Sequence, residues 1–132
     1  MPDLDILLAH AYYSRYDPKQ TRKMKPYPPL ATLHLAGFLR AAGYRITLFD
    51  AMLSDGEHEF LAALERARPR LVILFEDNFN FLSKMCLTRM REAAQTMAGM
   101  ASAAGCIVVT SGSDMTDRPK LYLTQNADVV AL

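Results

Sequence analysis

Cysteine is scarce in this sequence, and that scarcity excludes most of what cysteine does. Only Cys86 and Cys106 occur in 132 residues. They form no CxxC pair, and no histidine sits beside either at a metal-ligand spacing. They read as small buried apolar residues in a reducing compartment rather than a disulfide framework or a zinc site. No apolar run approaches the ~20 residues of a membrane span. No basic stretch followed by a long apolar run opens the chain, and Asp3 and Asp5 flank its first apolar residues, which is wrong for a signal peptide. A cytoplasmic protein with no membrane partner is expected. An excess of one charge is also lacking: Lys+Arg number 15 and Asp+Glu 14, a formal net charge of +1. That balance argues against a nucleic-acid partner held by bulk charge. Neither GxGxxG nor GxxxxGK[ST] is present, so no dinucleotide or P-loop phosphate cradle is expected. No Ser/His/Asp or Cys/His arrangement can be argued from spacing, and no complete catalytic site is expected in this chain.

What remains is a globular composition, 51% hydrophobic and 22% charged, in a length that suits one domain spanning 1–132 with a real core. The apolar period switches repeatedly between strand and helix. Ile6-Leu7-Leu8-Ala9 is a continuous apolar run, expected as a strand buried on both faces. Pro28-Pro29 opens a helix whose expected core residues include Leu30, Leu33, Phe38 and Ala41, and Gly43 ends it. Arg45 to Phe49 reads as the second strand. Ser54 with Glu57 predicts a capping box before a helix carrying Phe60, Leu61, Leu64 and Ala67, which Pro69 stops. Leu71 to Phe75 is the third strand. A long helix follows with Leu82, Met85, Met90, Ala94, Met97 and Ala101 at helical spacing, closed by Gly105. Cys106 to Thr110 reads as the fourth strand, Pro119 to Gln125 as a short helix and Asp128 to Leu132 as the fifth strand. Strand–helix alternation with apolar strands predicts an α/β fold: a doubly wound parallel five-stranded sheet, Rossmann-like or flavodoxin-like, in three α/β/α layers.

Ligands of open α/β sheets bind outside the carboxyl ends of the strands. The first strand runs into His10, Tyr12, Tyr13 and Ser14, and the second ends at Asp50. The third runs into Glu76-Asp77-Asn78-Phe79-Asn80-Phe81, where carboxylates and amides alternate with rings able to hold a flat, polar-rimmed ligand. An ordinary polar loop is the alternative there. The fourth runs into Ser111-Gly112-Ser113-Asp114, and Thr110-Ser111-Gly112-Ser113 is a small, permissive segment whose glycine lets a ligand approach the backbone; a plain strand-to-helix turn is the alternative. Of the histidines, His34 reads as structural within an apolar helix and His58 as solvated. His10 alone is placed to touch a ligand, against a core or edge role. The loop from His10 to Tyr27 is far longer than the ~2–6 residues usual after a strand. Its basic run, Arg15, Lys19, Arg22, Lys23 and Lys25, reads as a solvated face, or as a contact for acidic ligand groups or a partner domain. No helix follows the fifth strand, so a piece of something larger is expected.

One stretch is more specific. Pro28-Pro29-Leu30-Ala31-Thr32-Leu33-His34-Leu35-Ala36-Gly37-Phe38-Leu39-Arg40-Ala41-Ala42-Gly43-Tyr44, followed by Leu48-Phe49-Asp50, resembles the amino-terminal cobalamin-binding domain of cobalamin-dependent radical S-adenosylmethionine enzymes. Ser111-Gly112 through Pro119 to Ala127-Asp128-Val129-Val130 resembles the same family, so the likeness covers nearly the whole chain. The resemblance implies a corrin over the carboxyl ends of the strands, with its nucleotide tail beside the fourth and fifth. It implies Tyr12, Tyr13, Ser14, Asp50, Glu76, Asp77, Asn78, Phe79, Ser111, Gly112 and Ser113 as the residues toward cobalamin, and no metal ligand. The family's cluster-binding cysteine trio, CxxxCxxC, is absent here. S-adenosylmethionine and the 4Fe-4S cluster would therefore belong to a downstream radical domain, in cis or in trans, of a methyltransferase or cyclase type of enzyme. The chain departs from the wider cobalamin pattern in having no DxHxxG, which implies base-off binding without a histidine lower ligand. Phe75 and Glu76 stand where a serine is usual near the third strand end, and Ser111 replaces the first glycine of the usual pair. The alternatives are a degenerate Rossmann-like scaffold or docking domain that no longer binds cobalamin, with a homodimer through the uncovered sheet face, and a receiver-like signalling domain. In a receiver Asp77 would accept phosphate, but His10-Ala11-Tyr12 supplies no acidic pair.

Overall fold

A computed structural model describes residues 5–13, 15, 28–76 and 87–131. Five parallel strands form one sheet: β1 (Asp5–Ala9), β2 (Arg45–Phe49), β3 (Leu71–Phe75), β4 (Ile107–Ser111) and β5 (Val129–Ala131), in the order β2-β1-β3-β4-β5. This is the flavodoxin-like doubly wound arrangement. The apolar run Ile6 to Ala9 takes an interior position between β2 and β3, and all four of its residues are buried. Asp5 pairs with Arg45 across the exposed amino edge, and that bond holds the Asp5 carboxyl below the usual carboxylate range. Exposed ion pairs of this kind contribute little stability.

The crossover from β1 to β2 runs opposite to the later ones, which puts helix α1 (Leu30–Ala41) on one face and helices α2 (Glu57–Ala67) and α3 (Leu87–Ala103) on the other. The main core lies under α2 and α3. Leu7, Ala9, Phe49, Val72, Leu74 and Val108 of the sheet meet Phe60, Ala63, Leu64, Ala93, Met97 and Ala101. Phe49 packs edge-on against Phe60, with ring centroids 5.3 Å apart. Two short helices, α4 (Ser113–Asp117) and α5 (Pro119–Thr124), join β4 to β5. With Ala94, they form a satellite core of Met115, Tyr122 and Ala127.

The third strand and second strand match their predicted limits, and Met90, Ala94, Met97 and Ala101 all face the core; Leu82 and Met85 lie outside the described residues. Helix α1 differs from expectation in the face it buries. Its buried residues are Thr32 and Ala36, while Leu30 and Leu33 are exposed and Phe38 is 73% exposed. Small residues let the helix settle closely on β1 and β2, while Leu30, Leu33 and Phe38 point away. His34, expected among apolar neighbours, is exposed as well. The capping box before α2 does not form. Gly56 is the N-cap, Ser54 Oγ donates to the Asp50 carbonyl, and Glu59 accepts from the Asp55 N–H. Helix α4 was not expected: Thr110 to Ser113 reads as a turn, but Ser113 already starts a helix.

Candidate crevice at the carboxyl edge

The chain leaves β1 toward β2 and leaves β3 toward β4, so the connections diverge and open a crevice at the carboxyl ends of these strands. On its β2 side stands an imidazole–carboxylate pair. His10 is 2% exposed, and its Nε2 lies 2.7 Å from Asp50 Oδ1. Its Nδ1 accepts the Tyr12 N–H at 3.2 Å, which leaves Nε2 as the ring's donor to Asp50. Asp50 Oδ1 also accepts the Met52 N–H, capping the 3-10 turn Ala51–Leu53. Both ring nitrogens and this carboxylate oxygen are thus committed to holding the ends of β1 and β2 together. Tyr12 is packed with Met52 and Met90. Tyr13 is fully buried in the main core, and its hydroxyl donates to Met97 Sδ.

On the β4 side the centre is Asp114, 8% exposed. Arg91 of α3 grips it with both arms of the guanidinium, Nε to Oδ2 at 2.8 Å and Nη2 to Oδ1 at 2.7 Å. Tyr122 of α5 donates its hydroxyl to Oδ2, and Arg118 Nε stands 3.7 Å from Oδ1. The bond to Arg91 holds the Asp114 carboxyl well below the usual carboxylate range, against the opposing effect of burial. Arg91 is pushed up in turn by the bond to Asp114. Burial first, then the bond to Asp114, pushes the Tyr122 hydroxyl far up. Arg91, Asp114 and Tyr122 are therefore fixed in one charge state near neutral pH, and the triad clamps α3 to α4 and α5.

Between the two clusters lies Glu76, the residue after β3. Its N–H donates to the Ser111 carbonyl at 2.8 Å, and its Oε2 accepts the Asp114 N–H at 2.9 Å. Gly112, with φ +151°, passes directly beneath it: a Cβ there would lie 2.3 Å from Glu76 Cβ. The adjoining cavity, lined by Ala11, Glu76, Met90, Arg91, Met115 and Tyr122 among others, measures about 20 Å³. A larger groove of about 640 Å³ lies at the opposite end of the sheet, floored by Leu64, Pro69, Met100 and Cys106. It is remote from the crevice. There the Cys106 thiol donates to the Pro69 carbonyl, and burial pushes its pKa up.

Of the residues singled out from sequence, Asp50, Glu76, Ser111 and Gly112 border the carboxyl edge. Tyr12 and Tyr13 reach it through their backbone but turn their rings into the protein. Ser113 contributes the first backbone position of α4. Ser14, Asp77, Asn78 and Phe79 lie outside the described residues, as do Lys19, Arg22, Lys23, Lys25 and Cys86. Arg91 and Tyr122 were missed, and Asp114 was marked at the end of the fourth strand but given no role. Asp114 stood two residues beyond the glycine already marked, but its partners come from helices whose spacing points only to a core. Among the described residues, no group of three or more His, Cys, Asp or Glu is placed to hold a metal ion. No helix among them is long and apolar enough to cross a membrane. No protein-family model matches the chain, and no curated protein matches it.

Proposed function

We propose that this domain is a cobalamin-binding module, base-off and without a histidine lower ligand, serving a radical S-adenosylmethionine enzyme of methyltransferase or cyclase type. One observation carries the reading: four of the residues that the resemblance implies, Asp50, Glu76, Ser111 and Gly112, border one crevice of a flavodoxin-like sheet, with Asp50 following β2 and Ser111-Gly112 ending β4. Two further features suit a ligand lying along β4. Thr110 is fully buried, and its Oγ1 has no hydrogen-bond partner among the described residues, which is costly unless something accepts or donates there. Gly112, which has no side chain, follows at the end of the same strand, packed against Glu76.

The residues that would hold the group are Thr110 through its hydroxyl, Ser111 and Gly112 through their backbone, and Asp50 and Glu76 at the rim. His10 is an edge brace in this reading, since taking a metal would cost it the bond to Asp50 or to Tyr12 N–H. Cobalamin, when bound, supplies a cobalt centre able to carry a methyl group or an electron. S-adenosylmethionine and the 4Fe-4S cluster then belong to the radical domain that this module serves in cis or in trans. Purified protein incubated with hydroxocobalamin and freed of excess by gel filtration is expected to keep a visible corrinoid spectrum. Recovery of colourless protein would overturn the proposal.

A second reading, a docking scaffold, is favoured by the sheet face that α2 and α3 do not cover. On β4 and β5 it exposes Ile107 to 55% and Val129 to 49%, beside half-buried Val109. Contiguous apolar surface of this kind usually meets a partner. The two readings are compatible, because a radical domain packed there would be such a partner.

A further inference from the structure

We infer that a second copy of this chain covers the exposed face of the sheet, in a two-fold dimer whose two α1 helices form one shared layer; this inference rests on the docking reading above and not on the cobalamin reading. Helix α1 carries it. Of its twelve residues, LATLHLAGFLRA, only His34 and Arg40 are ionisable. A helix that is apolar on every side is normally covered on every side. Yet α1 fully buries only Thr32 and Ala36 against its own sheet and turns Leu30, Leu33 and Phe38 outward. The exposure is concentrated. Among the described residues, nine large apolar side chains are exposed, and six of them lie on this one side of the sheet: Leu30, Leu33 and Phe38 on α1, Leu48 on β2, Ile107 on β4 and Val129 on β5. Leu48 belongs there because it alternates with the core-facing Phe49, and Ile107 because it alternates with Val108. Val129 belongs there because it pairs with Val109.

The rest of that face suits the same helix. It presents Leu71, Ile73, Phe75, Ile107, Val109 and Val129, and β3, β4 and β5 contain no charged residue. Helix α1 lies over β1 and β2, and β3 and β4 are the next two strands of the sheet. With strands about 4.8 Å apart, the midline of β3 and β4 stands about 9.6 Å from that of β1 and β2, within the roughly 8–10 Å at which helices pack side by side. A two-fold axis along the strands, between β1 and β3, therefore sets each α1 over β3 and β4 of the other copy. Thr32 and Ala36 then settle on their own sheet, while Leu30, Leu33 and Phe38 meet the strip of the second copy. The contact is isologous and closes at two. The area suffices. Exposures run from 39% at Leu33 and Leu48 to 73% at Phe38, so the six side chains offer on the order of 500 Å² per copy. A standard interface takes about 800 Å² from each partner, roughly 60% of it apolar.

The test is sedimentation equilibrium of the full chain over a range of concentrations. Wild type is expected at twice the monomer mass, with a Kd of about 1 µM or tighter. Phe38→Glu on the helix and Ile107→Glu on the strip are each expected to raise that Kd about tenfold or more, because each puts an unpaired charge into an apolar contact. Phe38→Ser and Ile107→Ser should weaken the dimer less, by deletion alone. Leu61→Glu, exposed on α2 across the opposite face, should leave it unchanged. Circular dichroism confirms the fold of each variant. Well below the Kd the chain is a monomer, so there these exposed substitutions leave the melting temperature nearly unchanged and the wild-type strip takes up an apolar dye. A dimer that Phe38→Glu dissociates but Ile107→Glu does not would overturn the shared layer, as would one dissociated by Leu61→Glu. Wild type that stays monomeric at every concentration yet takes up the dye overturns self-association and leaves the docking reading standing for another partner. Monomeric protein that takes up no dye overturns both.

Discussion

Asp114 is the residue on which the carboxyl edge turns. Its carboxylate is buried and satisfied by Arg91 and Tyr122. Substituting asparagine leaves the Arg91 guanidinium without its counter-charge. Asp114→Asn should cost about 2–4 kcal/mol, the range for breaking a largely buried charge pair, measurable by urea denaturation. The acid limb of stability follows from the same group. Its carboxyl is depressed by Arg91 in the folded state, so the stability it contributes is fully present above the unfolded value of about 3.9. That stability is lost as the pH falls further, through the folded value. Acid unfolding should therefore begin below about pH 4 and be blunted in Asp114→Asn. Cys106 illustrates the converse: burial raises its pKa, and its alkylation at neutral pH should be slower than that of a free thiol. Asp114 was legible as a strand-end residue but its partners were not, because Arg91 lies 23 residues upstream and only the fold brings them together. The pairing of His10 with Asp50, 40 residues apart, was illegible for the same reason, although each was marked singly as a strand-end residue.

At the scale of elements, strands were more legible than helix faces. A continuous apolar run such as Leu71 to Phe75 has one outcome in a parallel sheet, and it forms the strand with matching limits. Helix α1 carries large apolar residues on more than one side, so periodicity does not choose between Phe38 and Ala36. Close approach to β1 chooses, and it selects Thr32 and Ala36. This yields a contrast between neighbours. Phe38→Ser should change stability by less than ~0.5 kcal/mol, as expected of an exposed position. Gly37→Ala should stabilise by roughly 0.5–1 kcal/mol, because a Cβ at Gly37 meets nothing within 4 Å. Thermal melts of the two variants check both signs. The missing capping box has a similar cause. Ser54 and Glu57 have the right spacing, but the 3-10 turn after Asp50 engages Ser54, and Gly56 takes the cap.

Across the whole molecule, among the described residues, one sheet face is well covered and the other is partly exposed. Right-handed crossovers place α2 and α3 together over the main core and, among the described residues, leave α1 as the helix opposite, over β1 and β2. The bare apolar strip across β4 and β5 should bind an environment-sensitive apolar dye. Ile107→Glu combined with Val129→Lys should reduce that binding while leaving the melting temperature nearly unchanged. The cofactor reading operates at this scale too, since Asp50, Glu76, Ser111 and Gly112 come together only through the strand order. Its chemistry is open to direct spectroscopy. Reduced cob(II)alamin added to the protein should give an electron paramagnetic resonance spectrum of base-off cobalt without nitrogen superhyperfine splitting, since both His10 nitrogens are engaged elsewhere. A nitrogen-split spectrum, or a spectrum unchanged from free cob(II)alamin, would contradict it.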